Sequence, residues 1–199
     1  IGTMIVDIGG GTTEVAVLSL GGTVLSESVR VAGDEINDSI AIYLKKVHNL
    51  VVGERTAEEI KIRIGSAFPD NEFDLKSMDV RGLHLLSGLP RSINLNAGDL
   101  REAMSEPLNK IVDAVKRVLE RTPPELAADI VDRGIMLAGG GALVKGISDL
   151  ISHETGIFAH VAEEPLLCVV NGCGQVLDNF KRLKRVVDTP DFARNAIRD

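Results

Sequence analysis

Apolar residues open the chain in three strand-length runs, Thr3 to Asp7, Thr13 to Leu20 and Thr23 to Val31, separated by glycine-rich turns. Turns this short predict antiparallel hairpins. From about Asp34 the period changes, and Ile36, Ile40, Leu44 and Val47 recur at helical spacing as one inward stripe. Towards the other end the pattern predicts a strand at Gly134 to Ala138 and a helix from Leu143, with Ile147, Leu150 and Ile151 on one face. A strand at Ile157 to Val161 and a helix from Pro165 to about Phe180 follow. Pro165 suits a first helical turn, where its missing N–H costs nothing.

Residues 51–132 separate these two groups and predict a small inserted α+β subdomain. Thr56 with Glu59 three positions on has the spacing of a capping box, opening a helix through Ile60 and Ile64. Phe73, Leu75 and Val80 suggest one strand, and Leu83 to Leu95 another, bent at Gly88 and Pro90. A long amphipathic helix is predicted after Asn96, with Leu100, Met104, Leu108, Ile111, Val115 and Leu119 inward. Pro107 inside it predicts a kink or a restart capped by Ser105. The remaining segments, 1–50 and 133–185, read strand–strand–strand–helix and strand–helix–strand–helix. That order predicts an α/β fold, a ribonuclease-H-like mixed sheet flanked by helices. KRLKR at Lys181 to Arg185 and the polar residues 186–199 read as a solvated helix end and a tail, with anionic lipid a second reading of the basic cluster.

Composition narrows the function classes. At 199 residues and 44% hydrophobic the chain can bury a real core, and with 3% aromatics and no Trp that core is aliphatic. A net charge of −7 argues against nucleic acid as a partner. No apolar run reaches the roughly 18 residues of a membrane-spanning helix. Cys168 and Cys173 are spaced to fall on different helix faces, so a local disulfide is not expected and a reduced, cytoplasmic protein is. The four histidines show no metal-ligand spacing.

The candidate chemistry lies in two glycine turns. In IVDIGGGTTEVAVLSL, Gly9, Gly10 and Gly11 strip the side chains from a hairpin tip. Bare backbone with left-handed φ at Gly11 lets N–H groups converge on an anion, with Thr12 and Thr13 as added hydroxyl donors. Asp7 ends the first strand beside them, and a carboxylate next to a phosphate calls for a cation between, which implies Mg²⁺. In IMLAGGGALVKG, Gly139, Gly140 and Gly141 again follow an apolar strand, here before a helix. That turn suits flat, apolar adenine, with close helix-on-strand packing as the alternative use of glycine there.

Together these stretches resemble the actin, sugar-kinase and heat-shock-chaperone ATPase superfamily: DIGGGTTEVAVLS is similar to its second phosphate hairpin and IMLAGGGALVKGI to its adenosine motif. VAGDEINDSI, TAEEIKIRIGSAFP, LSGLPRSI, EPLNKIVDAVKRVLERTPPELAADIVDRGIMLAGGGAL and EEPLLCVVNGCGQVLDN narrow the resemblance to the MreB family of bacterial actins. The resemblance implies ATP and Mg²⁺ as ligands. Gly9 to Thr12 would hold the β- and γ-phosphates, and Asp7 would lie near Mg²⁺ or its water. Glu58, Glu59 and Lys61 would touch the ribose and adenine edge, and Gly139, Gly140, Gly141 and Ala142 would line the adenine. Asp34 and Glu35 are weaker ribose candidates. Read from the residues alone, TAEEIK is a solvated helix face.

The resemblance further implies a head-to-tail filament that controls rod cell shape, working with the cell-wall elongation machinery at the inner membrane face. Asn171 and Cys173 depart from the charged residue and Thr common in the family, and Leu83 and His84 from two charged residues. A start at Ile1, two residues before a strand, suggests a fragment, with a first phosphate hairpin and the catalytic acidic residue expected upstream. Two other readings remain at this level: a sugar or small-acid kinase of the same superfamily, and an interaction module with disused glycine loops.

Overall fold

A computed structural model describes residues 1–180; KRLKR and the tail lie outside the described residues. Three strands, β1 (Gly2–Ile8), β2 (Thr13–Ser19) and β3 (Gly22–Val29), form the predicted antiparallel meander. Strands β7 (Ile135–Ala138) and β8 (Ala159–Val161) add in parallel on the other side of β1, giving the order β3-β2-β1-β7-β8. A second sheet holds β4 (Leu50–Val51), β5 (Ser77–His84) and β6 (Pro90–Asn96), all antiparallel. This is the mixed α/β sheet that the element order predicts.

Helices cover the sheets where their apolar stripes fall. Helix α1 (Gly33–His48) buries Ile36, Ile40 and Leu44, and Asn49 in the left-handed region ends it. Val47 does not join the buried part of that stripe: it lies in the last turn of the helix and is 56% exposed. Helix α2 (Glu54–Ile64) buries Ala57, Ile60 and Ile64. It opens two residues before the predicted capping box, with Gly53 as its N-cap, so Thr56 sits inside the first turn. Phe73–Leu75 is one turn of 3₁₀ helix instead of a strand. Leu83 and His84 belong to β5, and the bend lies beyond them. There His84 donates its N–H to Leu89 (2.9 Å), Gly88 donates to His84 (2.8 Å), and Gly88 takes φ +68.

Helix α3 (Ala97–Arg121) runs unbroken through Pro107. Asn96 caps it by accepting from Asp99 N–H at 2.8 Å. Ser105 caps nothing: its hydroxyl donates back to the carbonyl of Glu102 at 2.8 Å. Leu100 and Met104 before the proline, and Leu108 and Ile111 after it, are buried on one face. Packing on both sides of the missing N–H outweighs the loss of one helical bond. Thr122 to Pro124 end α3 and start α4 (Pro124–Arg133), an element the sequence pattern leaves unassigned. Asp129 of α4 accepts the Gly2 N–H at 2.5 Å and fastens α4 along β1. Helices α5 (Ile147–Thr155) and α6 (Cys168–Asp178) complete the described chain. One contiguous aliphatic core joins β1, β2, α1, α2, α3 and β7. No described helix is long and apolar enough to cross a membrane.

Leu44→Ala should lower unfolding free energy by about 2–5 kcal/mol, since its side chain is fully buried. Val47→Ala, one turn away in the same predicted stripe, should stay within about 0.5 kcal/mol. Urea unfolding followed by far-ultraviolet circular dichroism measures both.

Candidate functional site

Parallel pairing of β1 with β7 sets Asp7 opposite Ala138, so Gly9 and Gly139 follow neighbouring strands at one end of the sheet. The β1–β2 hairpin leaves to one side and the β7 turn to the other. In open α/β sheets a crevice for ligands opens at such a switch point, beyond the carboxyl ends of the strands. The two predicted turns are thus brought together by strand pairing alone.

The first turn is a tight one. Gly9 donates to the carbonyl of Thr12 at 2.9 Å, and no partner is found for the N–H groups of Gly10, Gly11 or Thr12 among the described residues. None of the three glycines adopts positive φ, which overturns the left-handed expectation for Gly11. Their use is close approach instead. The carbonyls of Gly9 and Gly10 accept the N–H groups of Gly33 (3.1 Å) and Asp34 (2.8 Å), which dock the tip onto the start of α1. Gly33 is a site residue that the sequence reading missed. A Cβ there would stand 3.2 Å from the Gly9 carbonyl oxygen, and its glycine in VAGDEIN is the signal that was available.

Thr13 is not a free donor. It is fully buried, and its hydroxyl donates to the Val31 carbonyl at 2.7 Å. Thr12 remains exposed. Among the weaker candidates, Asp34 places its carboxylate 3.5 Å from where a Gly10 side chain would begin. Glu35 is engaged locally, accepting the Ala32 N–H at 2.9 Å as the reach-back half of a helix cap.

The second turn shows why its glycines are needed. Gly139 takes φ +82, and a Cβ on it would collide with the Ile8 carbonyl and the Asp7 carboxylate. A Cβ on Gly141 would collide with the Ile8 side chain. Close packing against β1 therefore accounts for two of the three glycines, a larger share than the sequence reading gave it. A single 3₁₀ turn, Gly140–Leu143, follows, and α5 starts only after Gly146. The expected helix from Leu143 thus begins four residues later, because Gly146 at φ +76 sets its entry. Ala142 is buried, whereas Gly140 is exposed beside Leu166.

The last turn of helix α2 and the residues after it reach both turns. The Lys61 ammonium donates to the Gly33 carbonyl at 3.1 Å, behind the hairpin tip. Burial lowers the Lys61 pKa, with the carboxylates of Glu58 and Asp34 opposing that shift. Three residues past the same end of the helix, Ala67 N–H donates to the Lys145 carbonyl at 2.7 Å, tying the exit of α2 to the loop after the second turn. Glu58 is exposed, and Glu59 pairs with Arg63 at 3.1 Å along the helix. The described residues hold no cluster of three metal-ligating side chains.

Gly141→Ala should cost about 1–3 kcal/mol or more, because its methyl overlaps Ile8 in a packed core. Gly10→Ala meets only ordinary contacts and should leave the urea midpoint nearly unchanged. A drop in both would mean that the hairpin tip is packed from a side where nothing now touches it.

Comparison with known proteins follows the same lines. The sequence profile of the MreB/Mbl protein family matches residues 1–185. The chain is 47% identical over 184 residues to the cell shape-determining protein Mbl of Bacillus subtilis, covering 92% of this chain and 55% of that protein. It is 50% identical over 177 residues to the cell shape-determining protein MreB of Escherichia coli, covering 89% of this chain and 50% of that one. The chain thus spans about half the length of the curated relatives it matches. Among solved structures, MreB5 of Spiroplasma citri bound to ADP superposes with a TM-score of 0.87 at 35% identity, over 94% of this chain and 56% of the other. The MamK double helical filament, at 21% identity and a TM-score of 0.65 over 82% of this chain and 50% of that one, shares the fold. With its profile matched from Ile1 to Arg185 and its two glycine turns closing adjacent parallel strands, this chain belongs to the MreB/Mbl family.

Proposed function

We propose that this chain is the ATP-binding lobe of an actin-like protein that polymerises and governs cell shape. The observation that carries the reading is the shared sheet end of the two glycine turns, fixed by the Asp7–Ala138 register. The solved MreB5 structures, one bound to ADP and one to AMPPNP, support a nucleotide there. The unpaired N–H groups of Gly10, Gly11 and Thr12 supply donors for phosphate oxygens. Gly139 to Ala142 would line the base, and Glu58 and Lys61 of α2 would face the sugar between them. Strands β4 to β6 with α2 would act as the inserted subdomain on a core built from 1–50 and 133–185.

A magnesium ion fits the residues present. Asp7 lies against the Gly139 turn and Asp34 beside Gly10, so two carboxylates flank the phosphate hairpin. Magnesium is ordinarily held by one or two carboxylates together with substrate phosphates and water. Asp7 would hold it, directly or through water, and when bound it neutralises the charge that a carboxylate and a phosphate would otherwise oppose. The chain's own part is to orient the polyphosphate and present its amides.

Filament formation is part of this proposal: the relatives are named cell shape-determining proteins, and a protein solved as a double helical filament, MamK, has the same fold. Head-to-tail contact between unlike faces gives open polymers instead of closed rings. Work with cell-wall enzymes at the inner membrane face belongs to the same proposal, as does a cytoplasmic site. The kinase alternative draws no support from these relatives.

Calorimetric titration with Mg-ATP tests the reading. Binding is expected for the 199-residue chain, and Gly11→Val should weaken it at least tenfold by filling the hairpin tip. Equal affinity in that variant would remove the hairpin from the site. Phosphate release from this chain alone should be slight, because a nucleotide clamped from one side lacks the second set of charge-assisted bonds, each worth about 1.5–3 kcal/mol. Sustained turnover at millimolar Mg-ATP would contradict that.

A further inference from the structure

The contact between Lys61 and Gly33 lies beneath the hairpin tip. The ammonium lies behind the hairpin, on the carbonyl of a buried glycine at 3.1 Å. That same glycine donates its N–H to Gly9, and the next residue, Asp34, donates to Gly10. Cation, glycine and hairpin tip are stacked so closely that a methyl group at Gly33 would lie 3.3 Å from the Lys61 nitrogen, 3.2 Å from the Gly9 oxygen and 3.6 Å from the Gly10 α-carbon. Helix α2 carries Lys61 on the far side of α1 from the sheet's own strands in sequence, more than fifty residues from the tip that it supports. The bond therefore joins the inserted segment to the phosphate hairpin through two links of backbone.

We propose that Lys61 is a positioning residue for the phosphate hairpin, holding the Gly33 carbonyl so that Gly33 and Asp34 fix the Gly9–Gly10 tip. The inference rests on the reading above that the hairpin takes a polyphosphate, and it adds a role behind the tip to the contact with the sugar proposed there. A direct contact matters only for ligands that carry a nucleoside. A strut behind the tip matters for any polyphosphate, and it holds the tip before a ligand arrives. The Lys61 side chain is part-buried, and desolvation of the ammonium strengthens its bond to the carbonyl.

The test compares the 199-residue chain with Lys61→Met, which keeps the stem and removes the donor, and Lys61→Arg, which restores a cationic donor. Hydrogen exchange in the ligand-free proteins reads the strut directly. Exchange at the Gly33 and Asp34 amides should quicken about tenfold in Lys61→Met and recover at least in part in Lys61→Arg. Titration with magnesium tripolyphosphate and with Mg-ATP should then show both weakened in Lys61→Met, tripolyphosphate by about tenfold. Loss of ATP affinity alone, with tripolyphosphate affinity and amide exchange unchanged, would overturn the proposal in favour of a nucleoside contact. A wild-type chain that binds neither ligand would sink the nucleotide reading, while the exchange rates would still decide whether Lys61 holds the tip.

Discussion

Parallel pairing of β1 with β7 is the constraint on which the site depends. It joins two segments more than a hundred residues apart, and the register in which Asp7 faces Ala138 makes both strands stop together. A slip of one residue would turn every side chain of β7 to the opposite face. Met4, Val6 and Ile8 of β1, with Ile135 and Leu137 of β7, are fully buried, so the core itself locks that register. The two glycine turns are side by side because the core is packed.

Glycine does different work in the two turns. In the second, it removes collisions: Gly139 and Gly141 let the chain lie directly on Ile8 and Asp7. In the first, it leaves amides unpaired and lets Gly33 approach from below, with ordinary backbone angles throughout. Left-handed geometry occurs elsewhere, at Gly139, Gly146 and the hairpin bend at Gly88 among other positions. A run of three glycines is therefore a sign of crowding as much as of conformational freedom.

The long helix α3 shows how tertiary packing overrides a local signal. Proline at position 107 deletes one backbone donor, yet the helix passes through it because both flanking turns bury aliphatic side chains in the same core. Arg117 of α3 also reaches Glu27 of β3 at 2.8 Å, so the second half of the helix lies along the main sheet. Helix α2 has the complementary position. Lys61 in its last turn and Ala67 just past its end tie this part of the chain to both turns.

Much of this was written in the order of residues. Aliphatic periodicity placed the meander, α1 and the later strands, and the spacing of GGGTT and GGGAL after apolar runs marked both turns, because these are local patterns that act over a few residues. What lay beyond local reach was decided by partners distant in sequence. Thr13 looks like a donor in its own loop but is turned inward to Val31, and Thr56 looks like a cap but falls inside a helix that starts at Glu54. Gly33 looks like an ordinary turn glycine until the hairpin tip and Lys61 close on it from both sides. Sequence alone determined which segments form strands, helices and bare turns, since those preferences are set by neighbours along the chain. Only the tertiary structure decided which hydroxyls remain available and which glycines are crowded, since burial and hydrogen-bond partners are set by segments that meet only when the core assembles.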